Sequence, residues 1–232
     1  METFLTALRA TLVTLGLTGL AYPLIVTGGA QLLFPHRANG SIITDDKGRE
    51  VGSELIGQGF VAQEYLWPRP SATSYDGASS GGTNLGPTSK KLRDGQPDDP
   101  ATKDVDESFT GVARLTMDYA TANNLPAGTL VPVDAVTRSA SGIDPDVSPE
   151  NAHTQAARVA KARGVDVARV EAVIDATLEG RTFGILGEPR VNVLAVNLAL
   201  DRKFGRQFGR QFGRQFERQV HPTADTGATL TK

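Results

Sequence analysis

The sequence predicts an α+β fold in which a single N-terminal transmembrane helix precedes one extracytoplasmic domain. The first observation behind this prediction is that residues 12–34 contain no charged side chain. At about 1.5 Å per residue, a helix of this length spans a hydrocarbon core of about 30 Å. The second is that helical periodicity recurs in the later half of the chain, without the regular strand–helix alternation of a doubly wound sheet.

The chain divides into four predicted segments. These are a short cytoplasmic N-terminus (1–10), the transmembrane helix (11–34), the extracytoplasmic domain (35–201) and a repeat tail (202–232). A cleaved signal peptide, with Gly28 and Ala30 before the cleavage site, is the alternative for the apolar run. The run continues to Phe34, which favours a retained helix. Basic residues flank both ends, so charge alone does not set the orientation, and we expect the bulk of the chain outside.

The pattern within the domain predicts a hairpin, a long loop and several helices. In chain order these are a hairpin (42–44 with 51–56), a loop (67–104), a helix (107–123), a β-like segment (130–136) and three helices (149–163, 167–179 and 190–201). Ser148 is typical of an N-cap, with Pro149 at the first helical position and Gly164 just past the end. A loop as long as 67–104 predicts a function or a docking surface, because compact domains rarely keep an idle one.

The tail carries a four-residue repeat, KFGRQFGRQFGRQFERQ. Phenylalanine and arginine recur in step, at Phe204, Phe208, Phe212 and Phe216 and at Arg206, Arg210, Arg214 and Arg218. A basic, aromatic stripe of this kind suits an anionic membrane surface. The glycines oppose a helix, however, and a disordered repeat expansion is the prediction we favour.

Composition excludes several classes of function. The 24 basic and 26 acidic residues nearly balance, which gives no general attraction to nucleic acid. The chain has no cysteine, so disulfides, thiolate metal sites and cysteine nucleophiles are excluded together. Its three histidines lie far apart in sequence, at His36, His153 and His221, and we predict no metal centre.

The stretch SSGGTNLGPTS at 79–89 allows three interpretations: a phosphate-binding loop, the turn of a nucleophilic serine, or a rigid turn without chemistry. A phosphate-binding P-loop places Lys-Ser or Lys-Thr directly after its last glycine. Here Gly86 is followed by Pro-Thr-Ser, so the match fails, although amides around Gly81 and Gly82 could form an anion nest.

The serine interpretation depends on a Gly-x-Ser-x-Gly match at 77–81, which places Ser79 as the nucleophile. Asp144 or Asp146, followed by His153, completes the chain order of an α/β-hydrolase triad. The motif needs a strand before it and a helix after it, and the neighbouring sequence predicts neither. A membrane-anchored serine hydrolase is therefore the alternative, and a chain without catalytic residues is the prediction.

Four blocks of the sequence, taken in order, resemble the signature blocks of one family. They are LIGQGFVAQEYLWPRPSATSYDGASSGGTNLGPTS, VPVDAVTRSASGIDPDVSPENA, QAARVAKARG and LGEPRVNVLAVNLALD. They are similar to the KdpC family, which belongs to the Kdp-type potassium-transporting P-type ATPase complex. The likeness runs from the membrane segment to about residue 201, and the repeat tail lies outside it.

This resemblance implies an accessory subunit of a high-affinity, ATP-driven potassium uptake complex in the cell inner membrane. The implied partners are a channel-like potassium-translocating subunit, a P-type ATPase catalytic subunit and membrane lipid, with no nucleic acid. The implied role is to stabilise the complex and to promote ATP binding and use by the catalytic subunit. The chain lacks the Asp-Lys-Thr-Gly-Thr phosphorylation motif, so we expect it not to be an enzyme.

ATP is the one ligand that the resemblance implies, bound through the complex, and no cofactor or metal is expected to be held firmly. SSGGTNLG is similar to the Ser-Gly-Gly signature of ABC-type ATPases, and Gln58 becomes a possible nucleotide contact. The candidates for nucleotide binding or partner docking are Gln58, Ser80, Gly81, Gly82, Thr83, Asn84, Gly86, Ser141, Gly142 and Asp144. An extracytoplasmic domain does not meet cytoplasmic ATP, which favours docking.

Overall fold

The computed structural model describes residues 1–45, 48–97 and 108–205. Three predictions lie partly outside these residues: the first residue of the helix predicted from 107, the loop 67–104 beyond residue 97, and the repeat tail from 206 onward. The described chain is a mixture of helices and small antiparallel sheets behind one long N-terminal helix, which confirms the predicted fold class.

The N-terminal helix is long and apolar enough to cross a membrane. It consists of α1 (Glu2–Leu15), one wider π-helical turn (Gly16–Ala21) and α2 (Tyr22–Leu33), and none of its residues is buried. Its 32 residues correspond to a length of about 48 Å. The helix begins at Glu2, well before residue 11, where the predicted transmembrane segment starts. The wider turn directly precedes Pro23, whose ring and missing N–H disrupt regular α-helical bonding.

A short turn and a hairpin connect this helix to the domain. Helix α3 (Pro35–Ala38) leads to strands β1 (Ile42–Thr44) and β2 (Glu50–Ser53), which pair antiparallel with Ile42 opposite Ser53. The predicted hairpin is confirmed. Buried Ser41 fixes its base, since the Ser41 carbonyl accepts the Glu54 N–H at 3.1 Å.

The remaining elements form the body of the domain. In chain order they are α4 (Lys90–Asp94), α5 (Val112–Ala122), α6 (Val133–Val136), β3 (Asp146–Val147), α7 (Pro149–Arg163), α8 (Val167–Thr177), β4 (Leu178–Glu179), β5 (Arg190–Asn192) and α9 (Val193–Phe204). The three short strands make an antiparallel sheet with β5 in the centre. The main apolar core lies where α7, α8, α9 and β5 meet, and a smaller core lies under α5 and α6.

The predicted ends of α7 are confirmed. The Ser148 hydroxyl accepts the Asn151 N–H at 3.1 Å, and Pro149 occupies the first turn. Gly164 ends the helix in the left-handed region with φ 67°, a conformation that costs glycine little.

Several local predictions are wrong. The helix predicted over 107–123 begins at Val112, because Gly111 before it is extended and residues 108–111 are not helical. The helix predicted over 167–179 ends at Thr177, and residues 178–179 form strand β4.

Residues 130–136 were predicted to be β-like from their β-branched residues, but they contain the helical turn α6, which begins directly after Pro132. The predicted loop 67–104 contains α4, capped by the Ser89 hydroxyl. Residues 190–192 form a strand rather than the start of a helix, because Asn192 caps α9 by accepting the Ala195 N–H at 3.0 Å.

Candidate functional site

Buried polar side chains hold residues 63–67, the segment that leads into the long loop. Residues 63–67 have no regular secondary structure, and buried backbone groups of this kind require hydrogen-bond partners. Asn197 brackets Leu66, accepting its N–H at 2.8 Å and donating to its carbonyl at 3.0 Å. Gln155 brackets Trp67 in the same way, at 2.7 and 3.1 Å. Helices α7 and α9 thus hold this segment by side chains instead of a strand ladder.

Two arginines of α7 complete this support. Arg158 donates to the carbonyls of Gln63 and Tyr65 at 2.7 and 3.0 Å, and its guanidinium stacks on the Trp67 ring at 3.9 Å. Arg163 donates to the Glu64 carbonyl at 2.7 Å. Burial lowers the pKa of Arg158 to about 10, still far above neutral pH, so the group stays charged inside the domain.

The two loops that contain the candidate pairs Ser80–Gly81 and Ser141–Gly142 pack directly against each other. The Gly81 N–H donates to the Ser141 carbonyl at 2.8 Å, and the Ser80 hydroxyl donates to the same oxygen at 3.2 Å. Ser71 braces the junction from the first loop, because its hydroxyl donates to the Gly142 carbonyl at 2.5 Å. We call this contact between residues 71–82 and 139–144 the loop junction.

Close backbone approach explains two of the glycines in the loop junction. Gly142 has φ 72°, and a Cβ there would lie 2.6 Å from the Thr73 hydroxyl and 2.8 Å from the Gly81 carbonyl oxygen. At Gly82 a Cβ would lie 3.0 Å from the Ala140 carbonyl oxygen. Gly81 itself leaves room, with its nearest neighbour 3.9 Å away at the Thr73 methyl group.

Asp144 links the loop junction to the segment before it. Its carboxylate binds the Arg69 guanidinium at 2.9 Å and also accepts the Asp146 N–H at 3.0 Å. The Arg69 carbonyl in turn accepts the Tyr75 hydroxyl at 2.6 Å, and burial raises the pKa of Tyr75, which keeps the phenol neutral. Sequence analysis missed Arg69 and Tyr75, since neither belongs to the glycine-rich pattern.

Gln58 lies beside the hairpin with its side chain engaged. Its amide donates to the Val51 carbonyl at 2.9 Å, while its Oε1 is buried with no hydrogen-bond partner among the described residues. Gly52, with φ 154°, makes room for this amide, because a Cβ there would lie 2.0 Å from Gln58 Nε2. The neighbouring cleft of about 440 Å³ has Glu50 and Asp76 in its lining, and the described lining residues include no lysine or arginine.

Three candidate residues lie beyond the loop junction. The Thr83 hydroxyl accepts the Leu85 N–H at 3.4 Å, and Asn84 adopts a positive φ of 54°. A Cβ at Gly86 would meet nothing within 4 Å, and its carbonyl accepts the Ser89 N–H at 3.0 Å. These residues shape the turn that leads into α4.

The serine hydrolase alternative is not supported. His153 contacts Asp175 at 3.2 Å across α7 and α8, instead of either predicted acid. Asp144 binds Arg69, and Asp146 binds Arg190 at 3.1 Å. Ser79 lies in a turn, its N–H donating to the Asp76 carbonyl at 3.0 Å, without the strand and helix that a nucleophilic serine needs.

The fold and the site therefore define a class of protein: an α+β domain attached to one candidate membrane helix. The predicted site residues in this domain hold loops together. The family model described as KdpC, K+-transporting ATPase, c chain, matches residues 4–202. The chain belongs to this family. The repeat tail begins where the match ends.

Named relatives agree with the family model over most of their length. A "Potassium-transporting ATPase KdpC subunit" of Myxococcus xanthus is 57% identical over 206 residues, which cover 88% of this chain and 90% of the relative. Proteins of the same name from Caulobacter sp. (strain K31) and Mycobacterium tuberculosis are 47% and 48% identical. The alignments cover 86% and 85% of this chain, and 95% and 97% of those relatives.

Proposed function

We propose that this chain is an accessory, non-catalytic subunit of an ATP-driven potassium uptake complex in the cell inner membrane. One helix anchors it, and the α+β domain lies on the extracytoplasmic face. Family membership supports the potassium complex. The observation that carries the accessory role is the loop junction, where Ser80, Gly81, Ser141, Gly142 and Asp144 are engaged in holding backbone segments together.

Its partners in this proposal are the channel-like potassium-translocating subunit and the P-type catalytic subunit. A rigid, glycine-built loop pair suits docking, because an ordered surface loses little conformational entropy on binding. The domain stabilises the complex. Any effect of this chain on ATP use reaches the catalytic subunit through the assembled complex.

Direct ATP binding by the Gln58 region has little physical support. A triphosphate requires cations or free N–H donors. The cleft beside Gln58 has two carboxylates in its lining, and the described residues around it supply no basic side chain. In the loop junction, the Gly81 N–H already donates to Ser141. We therefore assign the candidate residues to docking and to bracing of the fold.

Affinity purification of the tagged full chain from its own membranes in mild detergent tests the assembly. We expect a polytopic potassium-translocating protein and a P-type ATPase in equal amounts, with ATP hydrolysis stimulated by potassium. A Ser79→Ala variant is expected to keep this activity unchanged. Recovery of the chain alone, under conditions that preserve other membrane complexes, would overturn the proposal.

The absence of cysteine makes the orientation testable with single-cysteine variants. Leu130 is 93% exposed on the domain, so Leu130→Cys is expected to react with a membrane-impermeant maleimide on intact spheroplasts. Glu2→Cys, at the start of the membrane helix, is the matched control and is expected to react only after permeabilisation. The opposite pattern would place the domain in the cytoplasm.

A further inference from the structure

An ordered arm projects from the domain between α8 and β5. Every residue from 178 to 188 is exposed, and we call this segment the arm. Its base is the pairing of β4 with β5, and its end is closed by two hydrogen bonds between Thr182 and Leu186, at 2.9 and 3.0 Å. A further bond joins the Gly184 N–H to the Arg181 carbonyl at 3.0 Å. The arm is thus a defined turn rather than a loose connection.

The end of the arm presents large apolar side chains to solvent. Phe183 is 88% exposed, Ile185 74% and Leu186 58%. Phe183 also has a φ of 55°, a conformation that costs a bulky residue on the order of 1–3 kcal/mol. Strained residues of this kind concentrate at functional positions. The arm therefore holds an aromatic ring away from its own core.

The charges around the arm are neutralised locally. Arg181 forms an ion pair with Glu188, and Arg190 at the base binds both Glu179 and Asp146. Anionic lipid headgroups attract surfaces that carry several uncompensated lysines or arginines. Both arginines are paired with carboxylates. The arm is therefore better suited to bind an apolar pocket on a protein than an anionic lipid surface.

The area of the tip indicates what kind of partner it fits. Three large apolar side chains at these exposures offer on the order of 400 Å². A stable interface between soluble proteins buries about 800 Å² on each partner, so the tip alone is about half of what such a complex needs. A partner in the same membrane needs less, because the anchoring helix already holds the two proteins at high effective concentration.

We propose that the tip of the arm, Phe183 with Ile185 and Leu186, inserts into an apolar pocket on the extracytoplasmic face of the potassium-translocating membrane subunit. This rests on the proposed function and specifies its docking contact. Exposed aromatic residues that fill a pocket typically supply a large part of the binding energy of an interface. The loop junction then supports the domain, and the arm attaches it to its partner.

The main test replaces Phe183 with a photoreactive phenylalanine analogue in the full chain and irradiates the intact membranes. We expect a crosslink to the potassium-translocating subunit. The matched position is Leu130, which is 93% exposed in another loop and is expected to give no such product. Crosslinking of Phe183 only to lipid, to a second copy of this chain or to the catalytic subunit would overturn the inference.

A second measurement uses Phe183→Ser and Leu130→Ser in the tagged chain. Phe183→Ser is expected to reduce co-purification of the potassium-translocating subunit at least tenfold, while Leu130→Ser leaves it unchanged. Equal recovery with both variants would refute the arm as the anchor but leave the proposed function intact. If the unaltered chain recovers no partner either, both proposals fail.

Discussion

Arg158 offers the most informative test of how this fold is held together. Its side chain is buried, with 4% of the residue exposed, and its four hydrogen bonds all end on neutral oxygens. The pKa of about 10 corresponds to a charge-burial cost of about 3 kcal/mol. Arg158→Met removes this cost together with all four bonds.

The four acceptors decide the sign of the effect. Gln155 Oε1 keeps a donor, since it also accepts the Trp67 N–H. Asn123 Oδ1 and the carbonyls of Gln63 and Tyr65 lose the bonds from Arg158. Each unsatisfied buried acceptor costs about 1–3 kcal/mol, so after the relieved charge cost we expect a net loss of about 3 kcal/mol.

The assay is urea unfolding of the full chain in detergent, followed by helical circular dichroism. The single tryptophan, Trp67, provides a second probe, because loss of the stacked guanidinium changes its surroundings. The matched control is Arg169→Met, which removes an exposed arginine stacked on Phe204 at 4.9 Å and is expected to cost about 1 kcal/mol at most. An Arg158→Met variant as stable as this control would refute the reasoning.

Two further predictions concern the loop junction and the buried ion pair. Gly142→Ala is expected to lower the free energy of unfolding by about 2 kcal/mol or more, because the added Cβ would meet both the Thr73 hydroxyl and the Gly81 carbonyl. In thermal unfolding, the control Gly81→Ala is expected to have nearly the same midpoint as the unaltered chain. Asp201 is 5% exposed and forms an ion pair with Arg163 at 2.8 Å. Arg163→Met leaves this buried carboxylate without its cation and is expected to lower the free energy of unfolding by about 3–5 kcal/mol at neutral pH. Burial already raises the pKa of Asp201, and loss of Arg163 raises it further. A group with a raised folded-state pKa favours the fold at low pH and loses that contribution as pH rises, so urea unfolding should show a larger deficit at pH 8 than at pH 5. An equal deficit at both values would contradict this account.

Local signals predicted several elements correctly. The cap at Ser148, the proline after it and Gly164 bounded α7, because these residues act through their own backbone and its nearest neighbours. The hairpin at 42–53 likewise followed from strand-forming residues around a polar turn. The β-like prediction at 130–136 failed because β propensity depends on a partner strand, and in the structure Pro132 precedes a helical turn instead.

The candidate site was only partly predictable. The sequence identified the candidates Ser80, Gly81, Ser141 and Gly142, but only the structure shows that the two loops pack against each other. The supporting contacts of Ser71 and Arg69 were not anticipated, since they join residues far apart in sequence. The exposed arm was also missed, because its apolar residues resemble ordinary core residues until their exposure is known.

By itself, the sequence determined the membrane-length helix, the mixed fold class and the capped helix α7, and its ordered blocks identified the family. These features depend on residues close together in the chain or on runs of one chemical character. Only the tertiary structure decided how residues 63–67 are held, which glycines are sterically required and where the arm projects. Arg158, Gln155 and Asn197 would each suit a solvated helix face, and they became core residues because α7 and α9 enclose an irregular segment whose backbone needs hydrogen-bond partners.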